Sequence, residues 1–288
     1  MPGATVITGV SSGLGLETAV YLAARGFRVV GTMRNPAKRA EFDEAVRQAD
    51  VTIDLVTLDI NDGESIAAAV ADIMQRYGAI DHLVNNAGLQ IRGYFEDLSD
   101  AEIRGVFETN VFGTMAVTRS VIPLMRNARR GRIVFLSSVG GLFGSLGLSA
   151  YCSSKFAVEG FAESLALEMA LFGIHVSLVE PGIINTPIWN SNLQVAEAAR
   201  EASSPNSAYF AESERMAAWA VMTSPIRSVH VAQAIHHALS AKSPKLRYLV
   251  GTRPAAFLLA RRFLPNALFD RAFRTAVTAK VKRASHSN

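Results

Sequence analysis

The sequence predicts an α/β protein built on a doubly wound parallel sheet of about seven strands, with helices on both faces. Three observations predict it. Short β-branched apolar runs alternate with longer amphipathic stretches along most of the chain, the pattern of repeated strand-helix-strand units. A glycine cluster, Gly9 to Gly15, follows the first run directly and opens the first helical stretch. Apolar residues make up 49% and charged residues 19% of 288, enough to bury a substantial core and too apolar a balance for disorder.

Taken in order, residues 4–8 form the first strand, and the helix after it runs from about residue 16 to 25. Strands follow at 28–32, 52–58, 81–85, 132–137, 175–180 and 247–250, each a short run rich in Val, Ile or Leu. Asp62 and Ser228 are candidate N-caps of intervening helices, and Ser99 with Glu102 spells a capping box. Right-handed crossovers then distribute the helices over both faces. Ligands in such sheets bind beyond the carboxyl ends of the strands. The only long segment without strand character, residues 187–225, reads as a helical lid. Residues 1–252 are thus expected to form one Rossmann-type dinucleotide-binding and catalytic domain, followed by C-terminal helices over 253–288.

That C-terminal stretch is basic. It holds eight Lys/Arg against one acid, net +7, which leaves −3 for the rest of a chain whose total is +4. Its charges interleave with Phe257, Leu258, Leu259, Phe263, Leu264, Leu268, Phe269 and Phe273. An amphipathic helix packed on its own domain or on a partner subunit is favoured over an anionic membrane surface. Nucleic acid is not expected as a partner, since no binding motif accompanies the charge. The N-terminus lacks a basic region followed by a long apolar run, and no apolar run is long enough to span a bilayer, so a cytoplasmic protein is expected. The single cysteine, Cys152, excludes an internal disulfide and a cysteine-rich metal site, and it reads as a small packing residue.

The glycine cluster is the first candidate site. Glycines after a first strand let the backbone turn tightly and approach a pyrophosphate, whose charge the next helix N-terminus stabilises. The end of the second strand bears on which nucleotide binds. An acid there would signal NAD by bonding the ribose 2′-hydroxyl, but the sequence places Met33 and Arg34 there, with Lys38 and Arg39 nearby. A guanidinium can grip a 2′-phosphate in bidentate fashion, so NADP(H) is expected over NAD(H).

Tyr151 and Lys155 form the second candidate site. Four residues apart in a helical stretch, they share one face, and Ser138 lies upstream at the end of an apolar strand. A phenol ordinarily titrates near pH ~10, and lowering that by ~3 units takes about 4 kcal/mol. One unit charge at ~4 Å supplies about that much at an effective dielectric of ~20. The pair therefore suits acid/base chemistry.

Together the residues resemble the short-chain dehydrogenase/reductase family in its compact single-domain branch. The resemblance rests on Thr8-Gly9-x-x-x-Gly13-x-Gly15, Asp59-Ile60, Asn85-Asn86-Ala87-Gly88, Asn110, Ser138, Tyr151-x-x-x-Lys155 and Pro181-Gly182-x-x-x-Thr186. These motifs stand in order and at family spacing over roughly residues 3–190. The resemblance implies Tyr151 as acid/base, Ser138 bonded to the substrate oxygen, and Lys155 on the nicotinamide ribose while lowering the Tyr151 pKa. It implies Asn110 holding a water that relays protons between Lys155 and solvent. For the cofactor it implies the turn Gly9, Ser11, Ser12, Gly13, Leu14 and Gly15, with Asp59 and Ile60 lining the adenine pocket. Asn86, Ala87 and Gly88 would lie along the cofactor, and Pro181, Gly182, Ile184 and Thr186 at the carboxamide end. No metal is implied. A homodimer or homotetramer is, through the helices carrying Asn110 and Tyr151.

The stretch between Ser138 and Tyr151 carries no charge, and the lid adds Trp189, Leu193, Tyr209, Phe210, Met216, Trp219 and Met222. Pockets lined this way favour apolar ligands with few polar anchors. The expected substrate is a lipophilic ketone, aldehyde or alcohol of the steroid, retinoid or long-chain type, and the chain loosely resembles the hydroxysteroid and retinol dehydrogenase branch. Two alternatives stay open: a 3-ketoacyl reductase of fatty-acid metabolism, and a non-catalytic dinucleotide-binding sensor.

Overall fold

The computed structural model describes residues 3–185, 193–251, 255, 256, 259 and 263–285. Its centre is a seven-stranded, wholly parallel sheet. In chain order the strands are β1 Ala4–Thr8, β2 Val29–Met33, β3 Asp54–Thr57, β4 Ile80–Asn85, β6 Gly131–Leu136, β7 Ile174–Pro181 and β9 Arg247–Val250, arranged across the sheet as β3-β2-β1-β4-β6-β7-β9. The order reverses between β1 and β4. That point opens a crevice at the carboxyl ends of both strands, where α/β sheets take ligands.

Successive residues of the central strands face opposite sides, and both sides are buried. Val6, Leu83, Ile133 and Leu178 enter one core, while Ile7, Val84, Val134 and Val179 enter the other. That double burial is why the strands read as continuous apolar runs rather than as alternation. The first core is covered by α3 Gly63–Tyr77, α5 Thr114–Ala128 and α6 Ser149–Ala170, through residues such as Ile73, Val121 and Ala162. The second is covered by α1 Gly13–Ala23, α2 Ala40–Gln48 and α8 Ser228–Ser240, through Leu22, Phe42 and Ile235.

Helix ends follow local chemistry. Asp62 caps α3 by accepting from Glu64 N–H, and Ser99 with Glu102 closes the capping box of α4 Asp100–Phe107. Ser228, however, is the first residue of α8 and not its cap. Arg227 holds that position, and its N–H donates to His230 Nδ1 at 3.1 Å, so the imidazole takes the part of the Glu or Gln at the third helical position of a capping box. The helix after β1 likewise starts three residues earlier than periodicity suggests, because Gly13 and Gly15 carry no side chain to extend the apolar pattern to its first turn.

The stretch expected to lack strands contains one. β8 Gln194–Val195 pairs in parallel with β5 Ile91–Arg92. Two residues are too few to show a period of two. After it, α7 Ser207–Met222 docks through Phe210 on Tyr94, edge to face at 6.4 Å, and Ser204 Oγ donates to Asp97 Oδ1 at 2.7 Å. α9 Asn266–Ser285 packs on α7 and buries Phe269. No helix among the described residues is long and apolar enough to cross a membrane.

Candidate functional site

Two clefts meet at the carboxyl ends of β1 and β4. The first, of about 370 Å³, is lined by Gly9, Ser11, Ser12, Gly13, Leu14, Gly15, Arg34, Asp59, Ile60, Asn86, Ala87 and Gly88, together with Met33, Leu58 and Asn61. Twelve of the residues expected to hold a dinucleotide therefore line one cavity. Its floor is a short clasp between strand ends. Thr8 Oγ1 accepts from the N–H groups of Asn86 and Ala87, both at 3.0 Å, and Asn86 Nδ2 donates to Thr8 O at 2.8 Å and Gly9 O at 2.9 Å. Gly9 has a left-handed backbone with φ +73°, which a side chain would strain. At Gly15 a Cβ would overlap Gly9 O and Asn86 Nδ2, the two atoms that bond each other. The cradle is thus shaped by missing side chains, leaving backbone N–H groups and the α1 N-terminus facing the cleft, a fit for a pyrophosphate. Arg34 lies exposed at its rim, whereas Arg39 grips Asp43 with Nε and Nη2.

The second cleft, of about 1040 Å³, is lined by Ser138, Tyr151, Lys155, Pro181, Gly182 and Ile184 and by the uncharged loop between Ser138 and Tyr151. Thr186 and Trp189 lie outside the described residues. Ser138 ends β6 and starts a tight turn, its Oγ accepting from Gly140 N–H at 3.0 Å. Tyr151 shares a hydrogen bond with Ser138, yet burial dominates and pushes the phenol up to about 12. Burial likewise pulls the Lys155 ammonium down to about 8, with Glu159 opposing. Lys155 Nζ stands 5.8 Å from the Tyr151 ring centroid and donates to Leu136 O at 2.8 Å. The Ser138 bond lowers the phenol, and burial outweighs it. Desolvation penalises both charged forms, and the ammonium bonds the Leu136 carbonyl.

Asn110 sits behind this wall in a π-helical turn, Glu108–Gly113, between α4 and α5. It accepts from Leu89 N–H at 2.8 Å and donates to Leu89 O at 2.9 Å and Ser154 Oγ at 3.0 Å. Ser154 in turn donates to Tyr151 O at 2.7 Å. Such widened turns are frequent at functional sites, and here Asn110 ties the loop after β4 to the helix bearing Tyr151. Beneath Lys155, Glu159 and Glu180 face Arg247 Nε at 3.3 and 3.2 Å, and Arg247 also reaches Glu163 at 3.2 Å. Burial and the neighbouring Glu159 push Glu180 up to about 7.

The lid departs from expectation. Of the lid residues named from sequence, Met216 lines the cleft, beside Ser213, Ala217 and Ala220 at helical spacing. Trp219 and Met222 face outward, 63% and 83% exposed, and Phe210 packs away from the cleft with Tyr94. Large apolar side chains do not reveal which face of a helix meets a cavity, and here the small ones do. Sequence reasoning also missed the far wall. Asp270, Phe273, Arg274, Val277 and Thr278 of α9 line the cleft, so the basic tail helps enclose it. The three- and four-residue spacing of these positions was the available signal. Gln90 and Arg92 were missed as well, because polar residues after a strand read as loop.

Residues 4–196 match the short chain dehydrogenase family. The chain is 39% identical over 253 residues to "Retinol dehydrogenase 8" of Homo sapiens, covering 85% of this chain and 80% of that protein. It is 34% identical over 259 residues to "17-beta-hydroxysteroid dehydrogenase type 1" of Homo sapiens, covering 86% and 77%. Among solved structures, an actinorhodin polyketide ketoreductase with NADPH superposes with a TM-score of 0.72 at 31% identity, covering 86% of this chain and 95% of that one. A short chain dehydrogenase/reductase from Burkholderia phymatum in complex with NAD gives a TM-score of 0.76 at 26% identity, covering 90% and 92%.

Proposed function

The chain belongs to the short-chain dehydrogenase family, oxidoreductases of alcohol and carbonyl groups that bind nicotinamide dinucleotides, and from that premise we propose that it interconverts a lipophilic ketone or aldehyde and its alcohol with NADP(H). One observation carries this reading: Tyr151, Ser138 and Lys155 stand together on the wall of a large, mostly apolar cleft that opens into the glycine cradle. The bound cofactor supplies or accepts the hydride. In reduction, Tyr151 delivers its proton to the carbonyl oxygen, and a phenol pushed up to about 12 stays protonated and ready as the acid. Ser138 donates a hydrogen bond to the same oxygen as charge develops there. Lys155, cationic below its value of about 8, holds the nicotinamide ribose with Tyr151 and favours the phenolate left behind. Asn110 fixes the helix bearing Tyr151 and lies on the proton path from Lys155.

Arg34 at the end of β2, where NAD-binding members of this fold carry an acid, supports NADP(H). Asp59 and Ile60 would meet the adenine, Asn86 to Gly88 the cofactor's length, and Pro181, Gly182, Ile184 and Thr186 its carboxamide. The retinol and hydroxysteroid dehydrogenases among its relatives favour the steroid, retinoid or long-chain class over a short ketoacid. Residues 1–252 are proposed as the catalytic domain, with 253–288 as its extension. A homodimer or homotetramer fits Phe112, Leu167 and Leu171, which this fold leaves exposed. The setting proposed is the cytoplasm, in keeping with a chain whose one cysteine forms no internal disulfide.

The test is oxidation of NADPH and of NADH with a panel of lipophilic ketones, followed by absorbance, for the wild type, Tyr151→Phe and Arg34→Asp. Tyr151→Phe should lower kcat by about 10²–10⁴-fold with cofactor binding retained, and Arg34→Asp should move preference towards NADH. Cofactor binding without turnover of any ketone or alcohol would favour the sensor reading. Turnover untouched by Tyr151→Phe would reject the mechanism.

A further inference from the structure

The large cleft is apolar along most of its wall, but the edge formed by residues 90–92 is not. β5 is extended, so alternate side chains share a face. Ile91 turns into the small core with Leu98 and Phe210, while Gln90 and Arg92 both line the cleft, Gln90 at the place where it joins the glycine cradle. The segment is fixed at each end. Leu89 is bonded through both its N–H and its C=O to Asn110, and Gly93 N–H donates to Gly147 O at 3.0 Å. The backbone at Gln90 is therefore fixed, and only its side-chain torsions remain free to orient the carboxamide.

Gln90 is 4% exposed, and its Nε2 is buried without a hydrogen-bond partner among the described residues, so a turn of its own side chain is what presents it to a ligand. An unmade bond at a buried amide costs stability, and natural proteins seldom leave one without a use. Arg92 beside it does not offer a spare charge, because its Nη2 meets Glu214 Oε1 of α7 at 2.7 Å. The polar edge of the cleft is thus close to neutral, with the Gln90 carboxamide where the two clefts join. A carboxylate would find no unmatched cation there, whereas a keto or hydroxyl oxygen would complete the Gln90 bond.

We propose that Gln90 is a specificity-determining residue, whose carboxamide binds a second, uncharged oxygen carried by the lipophilic substrate apart from its reacting carbonyl. The proposal rests on the oxidoreductase reading above and narrows its substrate class to bifunctional skeletons, hydroxyketones and diones, over those with a single oxygen. A site built to bond a substrate hydroxyl discriminates strongly against the analogue lacking it, because its own polar group is then left unpaired.

The experiment uses the full chain, wild type and Gln90→Leu, with a matched pair of bicyclic probes, a decalone and a hydroxydecalone. Equilibrium binding is measured by titration alongside kcat/KM with NADPH, and thermal unfolding is recorded without probes. The wild type should favour the hydroxydecalone by at least about ten-fold, and Gln90→Leu should abolish that ratio. The melting temperature of Gln90→Leu should be no lower than that of wild type, since the leucine removes an unpartnered polar group. A binding preference without turnover would support this inference while sinking the oxidoreductase reading. Turnover with equal preference for both probes would overturn the inference and leave that reading standing. Equal losses on both probes with a lower melting temperature would also overturn it, by showing that Gln90 is a packing residue.

Discussion

Gly15→Ala is the most revealing single substitution in the cradle, because two effects of opposite sign meet there. Alanine near the start of α1 gains up to ~1 kcal/mol of helix propensity over glycine. Against that, the added Cβ would overlap Gly9 O and Asn86 Nδ2 and would lie 3.0 Å from Gly9 C. These are backbone atoms and a side chain already clamped by bonds of 2.8 and 2.9 Å to Thr8 O and Gly9 O. Relief therefore means withdrawing the Asn86 amide and leaving two carbonyl bonds unmade. At ~1–3 kcal/mol for each group left unsatisfied, reduced because the cradle is only part-buried, the net loss should be about 1–4 kcal/mol. For a chain of this size that corresponds to a fall in Tm of roughly 3–10 °C. The moved backbone N–H groups should weaken NADPH binding at least about ten-fold as well. Differential scanning fluorimetry and a fluorescence titration measure both. Gly63→Ala, at the start of α3 with nothing within 4 Å of its added Cβ, is the control and should be neutral or stabilising. A Gly15→Ala protein with wild-type Tm and affinity would refute the idea that absent side chains shape this cleft.

Two further predictions concern parts of the molecule outside the cradle. Glu180 is pushed up to about 7 by burial and by Glu159, so the folded state binds a proton that the unfolded chain releases near pH ~4.5, and stability contributed by the protonated form is lost as pH rises from ~4.5 through 7. Glu180→Gln should accordingly raise Tm at pH 8 by an amount worth at most about 3 kcal/mol and change it little at pH 5, and a gap equal at both values would reject the assignment. Deleting residues 266–285 removes the wall formed by Phe273, Arg274 and Val277; KM for a bulky lipophilic ketone should rise several-fold while NADPH affinity, measured by titration, stays within about two-fold. Loss of cofactor affinity on the same scale as substrate affinity would show that α9 supports the whole domain instead of the cleft.

The strands were legible because a parallel sheet buried on both faces demands continuous apolar runs, and the seven runs found in sequence are the seven strands of the main sheet. The glycine turn was legible because a left-handed backbone at Gly9 and a close approach at Gly15 restrict residue type to glycine over a short local span. Tyr151, Lys155 and Ser138 were legible as a spacing on one helix and one strand end. Their electrostatics were not: the phenol rises to about 12 and the ammonium falls to about 8 because desolvation depends on everything packed around them. The clasp of Thr8 with Asn86 joins residues 78 apart, and no local pattern announces such a bond.

The sequence by itself determined the order of the seven main-sheet strands, the glycine turn after β1, the absence of an acid at the end of β2, and the spacing of Ser138, Tyr151 and Lys155. All are properties of local spacing and side-chain chemistry. Only the tertiary structure decided what surrounds the larger cleft: that α7 turns its small residues inward and Trp219 outward, that part of the basic tail lines it, and that Gln90 on its wall buries an Nε2 with no partner among the described residues. Those outcomes depend on which face of each element meets which neighbour, a choice settled by packing across the whole chain and not by any segment alone.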